Sequence, residues 1–298
     1  MTDIAIGVIG GSGLYQMDEL EIVEERRIST PFGDPSDAFI IGELHGVRVA
    51  FLARHGRGHR LMPSELNFRA NLYAFKTLGV RWLVSVSAVG SMKEIYEPTH
   101  IVVPDQFFDR TRHRPDTFFG DGLVAHISFG DPVCEVLAGV MAEAAEAAGA
   151  VMHRGGTYLC MEGPQFSTRA ESFIYRQWGV DVIGMTNLQE AKLAREAEIA
   201  YATFAMVTDY DCWHDEEEDV SVEAVLETLR RNNVTGQKAV TEAIRLLADR
   251  PGLESAAWDA LEYAFITDRS VVPEATIEKL RPIVGRYFDQ GSHEDSGD

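Results

Sequence analysis

Short runs of apolar, β-branched residues alternate with helical patterns from about residue 4 to about residue 210. This alternation is typical of an α/β fold, in which helices cover a central sheet. Strand patterns fall at residues 4–10, 38–44, 47–54, 82–87, 100–104, 156–160, 180–185 and 199–208, and helical patterns at 64–78, 131–148, 168–179, 187–198, 222–247, 253–266 and 274–287. We therefore predict one α/β domain over residues 1–289, with a mixed, partly barrel-like sheet, and a disordered acidic tail at 290–298.

The charge balance limits the kinds of partner this chain can have. It carries 47 acidic and 27 basic residues, which gives a formal net charge of −20. Nucleic acid and anionic membranes bind basic faces, so neither is an expected partner. The chain shows no signal-peptide pattern and no apolar run long enough to span a bilayer, and its three cysteines are widely spaced. We expect a cytoplasmic protein that acts on small molecules.

A glycine-rich turn, Gly10-Gly11-Ser12-Gly13, directly follows the first predicted strand. Glycines let backbone amides close around an anion, and the Ser12 hydroxyl can donate one more hydrogen bond. The dinucleotide-binding fingerprint needs a third glycine where Gln16 stands, and the Gly-Lys-Ser/Thr of a nucleotide P-loop is absent. Taken alone, the motif fits a plain tight turn and a phosphate loop equally well.

A second strand end carries Arg54 and His55. Arginine grips phosphate through two parallel hydrogen bonds, although most arginines form surface ion pairs instead. His55 could donate to the same anion. His59 fits a contact with a sugar hydroxyl and an ordinary loop histidine equally well. The position at the end of a buried strand favours an anion-binding role for Arg54.

Two more strand ends add small or hydroxyl side chains. Ser87 and Ala88 end the strand pattern at 82–87, where small side chains let a ligand approach the backbone. Thr186 precedes the helical pattern at 187–198, whose first amides favour an anion. Ligands of open α/β sheets bind at strand ends. Four such pieces, from Ser12 to Thr186, predict one phosphate site.

An acidic pair, Asp209 and Asp211, closes the last predicted strand. Two carboxylates facing one dry pocket repel each other unless one of them holds a proton. A metal site is a rival interpretation, but no His, Asp or Glu set with a diagnostic spacing accompanies the pair. Two solvated loop carboxylates are the commoner case for this pattern, and the residues alone leave that alternative open.

Together these segments resemble the trimeric purine nucleoside phosphorylase superfamily, and within it the 5'-methylthioadenosine phosphorylase family, from about Ile4 to about residue 245. The motifs that carry the resemblance are Gly10-Gly-Ser-Gly-Leu14, Arg54-His-Gly-Arg-Gly-His59, Pro63-Ser-Glu-Leu-Asn67, Ser87-Ala-Val-Gly-Ser91, Asp105-Gln-Phe-Phe-Asp-Arg-Thr111, Glu162-Gly-Pro-Gln-Phe-Ser167, Met185-Thr186 and Thr208-Asp-Tyr-Asp-Cys-Trp213. The resemblance implies a nucleoside phosphorylase fold and a homotrimer, or a dimer of trimers.

The resemblance also implies a role for each matched residue. Phosphate is expected on Ser12, Arg54, His55, Ser87, Ala88 and Thr186. The nucleoside is expected on Met185 under the ribose, on Phe166 and Ser167 near the base, and on Asp209 and Asp211 at the purine edge, and a neighbouring subunit is expected to contribute His126. Because a methylthio group is apolar, an apolar 5' pocket is also expected, with Val222 in the late helical segment as a candidate. No metal and no organic cofactor is expected. Inorganic phosphate is a co-substrate of the reaction that the resemblance implies.

Ser167 and Asp209 stand at the two positions that choose the base. A 6-oxopurine presents a donor at N1 and an acceptor at O6, and related enzymes for such bases carry Glu and Asn at these positions. Adenine presents a donor amine, which suits a carboxyl at Asp209, and the protonated carboxyl can give its proton to N7. A mismatched buried donor or acceptor costs about 1–3 kcal/mol, enough to set a preference.

The expected activity is phosphorolysis of 5'-methylthioadenosine to adenine and 5-methylthioribose 1-phosphate, with Asp209 as the catalytic acid. Methylthioinosine, or 6-oxopurine nucleosides more broadly, are the alternative substrates on the same fold. A non-catalytic nucleoside-binding protein and a hydrolase that uses water are alternatives of other classes. The presence of Arg54 and Asp209 argues against the first, and the clustered phosphate-type ligands argue against the second.

Overall fold

The computed structural model describes residues 4–11, 14, 17, 19–214 and 222–288, and within 222–229 it describes the side chain of residue 228 alone. Its strands are β1 Ile6–Gly10, β2 Glu21–Arg26, β3 Phe39–Leu44, β4 Val47–Ala53, β5 Trp82–Ser91, β6 Ile101–Val103, β7 Gln106–Arg110, β8 Met152–Arg154, β9 Thr157–Met161, β10 Val182–Gly184 and β11 Ala200–Asp209. Its helices are α1 Phe68–Thr77, α2 Glu135–Ala147, α3 Arg169–Gln177, α4 Asn187–Glu196, α5 Val222–Asp249 and α6 Glu274–Phe288.

All eleven strands belong to one mixed sheet. Its main path runs β2-β3-β4-β1-β5-β10-β9-β7, and β11 branches from β5 to reach β6 and then β8. β5 is the hub, because it pairs in parallel with β1 and β11 and antiparallel with β10. The long β5 and β11 are almost entirely buried, as expected for strands covered on both faces. The predicted α/β class with a mixed sheet is confirmed.

Helices cover both faces of the sheet, and each face has its own hydrophobic cluster. On one face, Leu137 of α2 and Ala243 of α5 pack in the same cluster as Phe204 of β11. On the other face, Leu72 of α1 and Leu193 of α4 pack with β11, which turns Tyr201 toward them. Alternate β11 side chains therefore face opposite helical layers, as the period of two along a strand requires.

Most of the predicted elements are present, with small shifts at their ends. The Thr168 capping box is confirmed, since the Thr168 side chain accepts from Glu171 N and the Glu171 carboxylate accepts from Thr168 N. The predicted start of α2 at residue 131 is wrong: the helix begins at Glu135, and the Cys134 sulfur caps it by accepting from Leu137 N.

The predicted helix at 253–266 is wrong. Only Ala256–Asp259 form a helical turn, of the 3₁₀ type, and Ser255 caps it. Tertiary contacts decide this segment: the Trp258 indole donates to the carbonyl of Arg81 at 3.1 Å and packs on Trp82 at 4.8 Å between ring centroids. Three strands were not predicted, namely β2, β7 and β8. Each of these lacks the continuous burial that marks the predicted strands.

Candidate active site

The strand β5 sets the positions of two groups of polar residues. Its register places Ile9 of β1 across from Ser85, and Asp209 of β11 across from Gly90. Ser87 and Gly90 are three residues apart on one continuous strand, which is about 10 Å at 3.3 Å per residue. The strand ends predicted to carry ligands therefore do converge, at two points along β5.

Arg54 lies at the first point and is only 3% exposed. Its Nε donates to Oε1 of Glu190 at 2.5 Å, its Nη2 donates to Oε2 at 3.0 Å, and the same Nη2 donates to Ser85 Oγ at 2.7 Å. The two-bond fork that we expected on phosphate is thus held by a carboxylate of the protein. Burial opposes the charged guanidinium, but the Glu190 charge offsets this and raises the pKa of Arg54 above its ordinary value.

One corner of the Arg54 guanidinium remains available for a ligand. Nη1 carries two N–H groups, and its one described acceptor is the carbonyl of Val86, at 2.7 Å. The next residue, Ser87, has a buried hydroxyl without a hydrogen bond of good geometry among the described atoms, although the Tyr158 hydroxyl lies close enough to interact with it. Buried polar groups are nearly always hydrogen-bonded, so this hydroxyl and the Nη1 N–H that has no acceptor among the described residues indicate a place for an anion.

Thr186 completes the same corner. β10 runs antiparallel to β5 with Ile183 across from Gly90, so the chain leaves β10 at Gly184 in the direction of Ser87, two residues before Thr186. Thr186 is the N-cap residue of α4, but its side chain makes no capping hydrogen bond. The first amides of α4 therefore keep their capacity to bind an anion. Ala88 is half-buried beside Ser87 and offers only backbone and a methyl group.

His55 is held in a single tautomer. Its Nδ1 lies 2.8 Å from the carbonyl of Leu61, which can only accept, so Nδ1 carries the proton. Burial, with smaller effects from Arg54 and His59, lowers the pKa of His55 to about 4. The ring is then neutral near pH 7 and its Nε2 is an acceptor, not the donor we expected. The His59 ring stacks on it, with centroids 4.2 Å apart.

Asp209 lies at the second point on β5. Its Oδ2 accepts from the Thr208 hydroxyl at 2.7 Å and its Oδ1 accepts from Asp211 N at 2.8 Å. Burial raises the pKa of Asp209 to about 6, against these two hydrogen bonds and with a smaller contribution from the Asp211 charge. A carboxyl with this pKa is protonated in a useful fraction of molecules near neutrality, which is a property of general acids.

Asp211 is buried next to it in a left-handed backbone conformation, with φ of 55°. Burial raises the pKa of Asp211, while the hydroxyls of Ser172 and Ser167 stabilise the charged form by hydrogen bonding. The Trp213 indole anchors the segment by donating to the carbonyl of Ser91 at 2.7 Å. The two carboxyl groups thus share one buried turn beside Ser167 and are not solvated loop carboxylates.

Met185 and Phe166 are the two large apolar side chains that the sequence predicts for the nucleoside. Met185 is half-buried directly before Thr186, and a methyl group on Gly163 would touch its sulfur at 2.5 Å. Phe166 is 41% exposed, so its ring is open to a ligand. Arg114, which the sequence did not point to, is buried and donates to the carbonyl of Met185 at 2.6 Å. This hydrogen bond anchors the Met185 backbone.

Three of the predicted residues lie elsewhere or cannot be placed. Ser12 lies outside the described residues, as does the predicted tail at 290–298, and the side chain of Val222 is also outside the description. His126 is exposed, and its backbone N–H donates to the carbonyl of Ala264 at 2.8 Å. Within this chain His126 is therefore a surface residue.

No three His, Cys, Asp or Glu side chains of the described residues are grouped so that they could hold a metal ion. No described helix combines the length and apolar composition of a transmembrane span.

Comparison with known proteins links this geometry to a family. Residues 5–245 match the family model described as the phosphorylase superfamily. The chain is 57% identical over 285 residues to the S-methyl-5'-thioadenosine phosphorylase of Koribacter versatilis, covering 96% of this chain and 97% of that protein. It is 59% identical over 289 residues to the enzyme of the same name from Chloroflexus aurantiacus, covering 97% and 100%.

Solved structures agree with this. The crystal structure of a methylthioadenosine phosphorylase from an antarctic soil metagenomic library superposes with a TM-score of 0.91 at 50% identity, covering 95% of this chain and 99% of that one. The methylthioadenosine phosphorylase of Schistosoma mansoni, in complex with adenine, superposes with a TM-score of 0.79 at 37% identity, covering 83% and 92%. The family match over residues 5–245 spans every strand of the sheet.

Proposed function

The chain belongs to the phosphorylase superfamily, and we propose that it cleaves S-methyl-5'-thioadenosine with inorganic phosphate. The products are adenine and 5-methylthioribose 1-phosphate. One observation carries the proposal. Ser87, whose hydroxyl has no hydrogen bond of good geometry among the described residues, and Gly90, which pairs with the raised-pKa Asp209, are about 10 Å apart along β5, a separation that suits a phosphate and a purine on opposite sides of a ribose.

Phosphate binds at the first point. We assign its recognition to Nη1 of Arg54, to the hydroxyls of Ser87 and Thr186, and to the first amides of α4. Ser12 and the backbone of Ala88 complete this set by resemblance. His55 joins it as an acceptor, which suits the hydroxyl that phosphate retains near neutral pH.

The purine binds at the second point. The glycosidic bond breaks with its electron pair moving onto the base, which leaves oxocarbenium character on the ribose. Protonated Asp209 gives its proton to N7 and neutralises the leaving base, while Asp211 accepts from the amine or keeps the shared proton in place. A phosphate oxygen then forms the new bond to C1'. Positioning and electrostatics supply most of the acceleration. The atoms and electrons of the reaction balance with phosphate and the nucleoside alone, so no cofactor is needed.

The remaining subsites are assigned by resemblance. They are Met185 under the ribose, and Phe166 and Ser167 beside the base. An apolar 5' pocket suits the methylthio group, and Val222 of the late helical segment is our candidate for it.

We further propose a homotrimer in which His126 reaches the site of a neighbouring subunit. The surface around His126 supports this: Val124 and Ile266, joined by an Ile266 N to Val124 O bond of 3.0 Å, are 46% and 67% exposed, and Tyr263 is 90% exposed. Exposed apolar groups in one patch are typical of protein interfaces. Light scattering coupled to gel filtration should give three or six times the 33.1 kDa of one chain; a monomer would contradict the proposal.

One assay tests the activity. Methylthioadenosine, methylthioinosine, adenosine and inosine are each incubated with and without phosphate, and base release is followed. We expect phosphate-dependent release, fastest from methylthioadenosine. Release that does not need phosphate would make the protein a hydrolase. Faster release from methylthioinosine than from methylthioadenosine would mean that the preferred substrate carries a 6-oxopurine base.

A further inference from the structure

Glu190 is the most completely enclosed charged residue beside the phosphate corner. It lies in the first turn of α4 and is 0% exposed. Its carboxylate accepts both bonds of the Arg54 fork, at 2.5 and 3.0 Å. The second oxygen also accepts from the hydroxyl of Tyr201 at 2.9 Å and from that of Ser85 at 3.1 Å. Four hydrogen bonds therefore fix this carboxylate in one position.

The same network extends to the start of α4. The Asn187 amide nitrogen donates to Ser85 Oγ at 3.2 Å and to Thr203 Oγ1 at 2.6 Å. Asn187 directly follows Thr186, and Ser85 also accepts from Arg54 Nη2. Through Ser85, the guanidinium and the helix N-terminus are thus held in a single mutual arrangement.

Stability alone is a poor explanation for this arrangement. A buried ion pair contributes little net stability, since taking both charges out of water costs about as much as their attraction returns. A pair of apolar side chains would fill the same space. The pair does, however, fix the direction of Arg54 Nη1, one of whose N–H groups has no acceptor among the described residues. Nη1 donates to the carbonyl of Val86, and the hydroxyl of the next residue, Ser87, likewise has no hydrogen bond of good geometry among those residues.

We propose that Glu190, supported by Tyr201, is a positioning residue for phosphate: it acts through Arg54 and sets the affinity for the anion without contacting the nucleoside. The inference rests on the proposed phosphorolysis. It predicts that disturbing the pair raises the KM for phosphate and leaves the KM for methylthioadenosine nearly unchanged, because the purine end of β5 is about 10 Å away.

The test measures both Michaelis constants separately in Glu190→Gln and Tyr201→Phe. We expect the phosphate KM to rise about tenfold or more in the first and several-fold in the second, as the loss of bonds to a charged group implies. Tyr201→Phe removes one hydroxyl only, so it keeps the test valid if Glu190→Gln does not fold. Equal rises in both constants, or an unchanged phosphate KM in folded Tyr201→Phe, would overturn the inference.

Two matched controls separate positioning from general damage. Glu196→Gln changes another buried glutamate of α4, which binds Thr117 and Phe118 N, and Tyr73→Phe removes a hydroxyl that donates to the carbonyl of Lys279. Both variants should keep wild-type constants.

A double-mutant cycle tests the route through Arg54. If Glu190 acts through that side chain, Glu190→Gln should raise the phosphate KM no further in an Arg54→Ala background. Additive effects would mean an independent role and would overturn the inference. The wild-type assay is read first: absence of phosphate-dependent cleavage defeats the proposed function, whereas normal wild-type activity with unaffected variants defeats only the role of Glu190.

Discussion

Gly90 lies directly across from Asp209 in the pairing of β5 with β11, and a Cβ atom on Gly90 would approach Asp209 Oδ1 to 2.9 Å. The same atom would lie 3.0 Å from Ile183 Cγ2, so the space is closed on two sides. The absence of a side chain at Gly90 therefore lets the carboxyl of Asp209 occupy its position beside the sheet.

We predict that Gly90→Ala displaces the Asp209 carboxyl and lowers kcat by about tenfold to a hundredfold, since small misplacements of a reacting group are costly. The phosphate KM should change little. Gly139→Ala is the matched control, because a Cβ there meets nothing closer than 3.7 Å and the position lies inside α2. A fully active Gly90→Ala enzyme would show that this contact does not place the acid.

Asp209→Asn should abolish most activity on adenine nucleosides. The amide cannot deliver a proton to N7, and general acids typically contribute about 10²–10⁴-fold to rate. Some activity on inosine is an expected gain, since an amide can donate to O6. Near-normal turnover of methylthioadenosine by this variant would remove Asp209 from the mechanism.

The same substitution should stabilise the protein at alkaline pH. Folding raises the pKa of Asp209 from 3.8 to about 6. Above pH 6 the carboxylate is charged in both states, and its burial lowers the free energy of unfolding. Below pH 4 the carboxyl is protonated in both states, and this penalty is absent. At 1.36 kcal/mol per pKa unit, Asp209→Asn should gain about 2–3 kcal/mol relative to wild type between pH 4 and pH 8. Urea unfolding at both pH values measures this. A pH-independent difference would contradict the raised pKa.

The pH dependence of His55 gives a spectroscopic prediction. The pKa of this ring is lowered to about 4, so its NMR signals should not titrate between pH 5 and pH 8. Phosphate affinity should accordingly show no contribution from a histidine charge in that range. A His55 midpoint near 6.5 would mean that the Leu61 bond and the burial do not hold the ring neutral; the signals that disappear in His55→Gln provide the assignment.

The sequence was sufficient for the framework of the site because the ligand-bearing strands are marked locally. Runs such as those ending at Ala53 and Asp209 are continuous and apolar, and Thr168 with Glu171 is a capping box within four residues. Their convergence follows from the general rule for strand ends in α/β sheets.

The rest depends on partners that are distant along the chain. Nothing near Arg54 indicates that its fork is taken by Glu190, 136 residues away, or that His55 donates to Leu61 and becomes an acceptor. The polar edge strand β2 has no hydrophobic alternation to reveal it, and at 253–266 a helical period was overruled by the packing of Trp258. Tertiary contacts decide each of these cases.

Because one uninterrupted strand carries both Ser87 and Gly90, the span between anion and base is a fixed length of backbone rather than a distance that a hinge or loop could adjust. Inserting or deleting a residue between them would change this span by about 3.3 Å and reverse the face presented by every residue on one side of the change. New substrate preferences on this scaffold must therefore come from exchanges of side chains and rim segments, while the span itself stays constant.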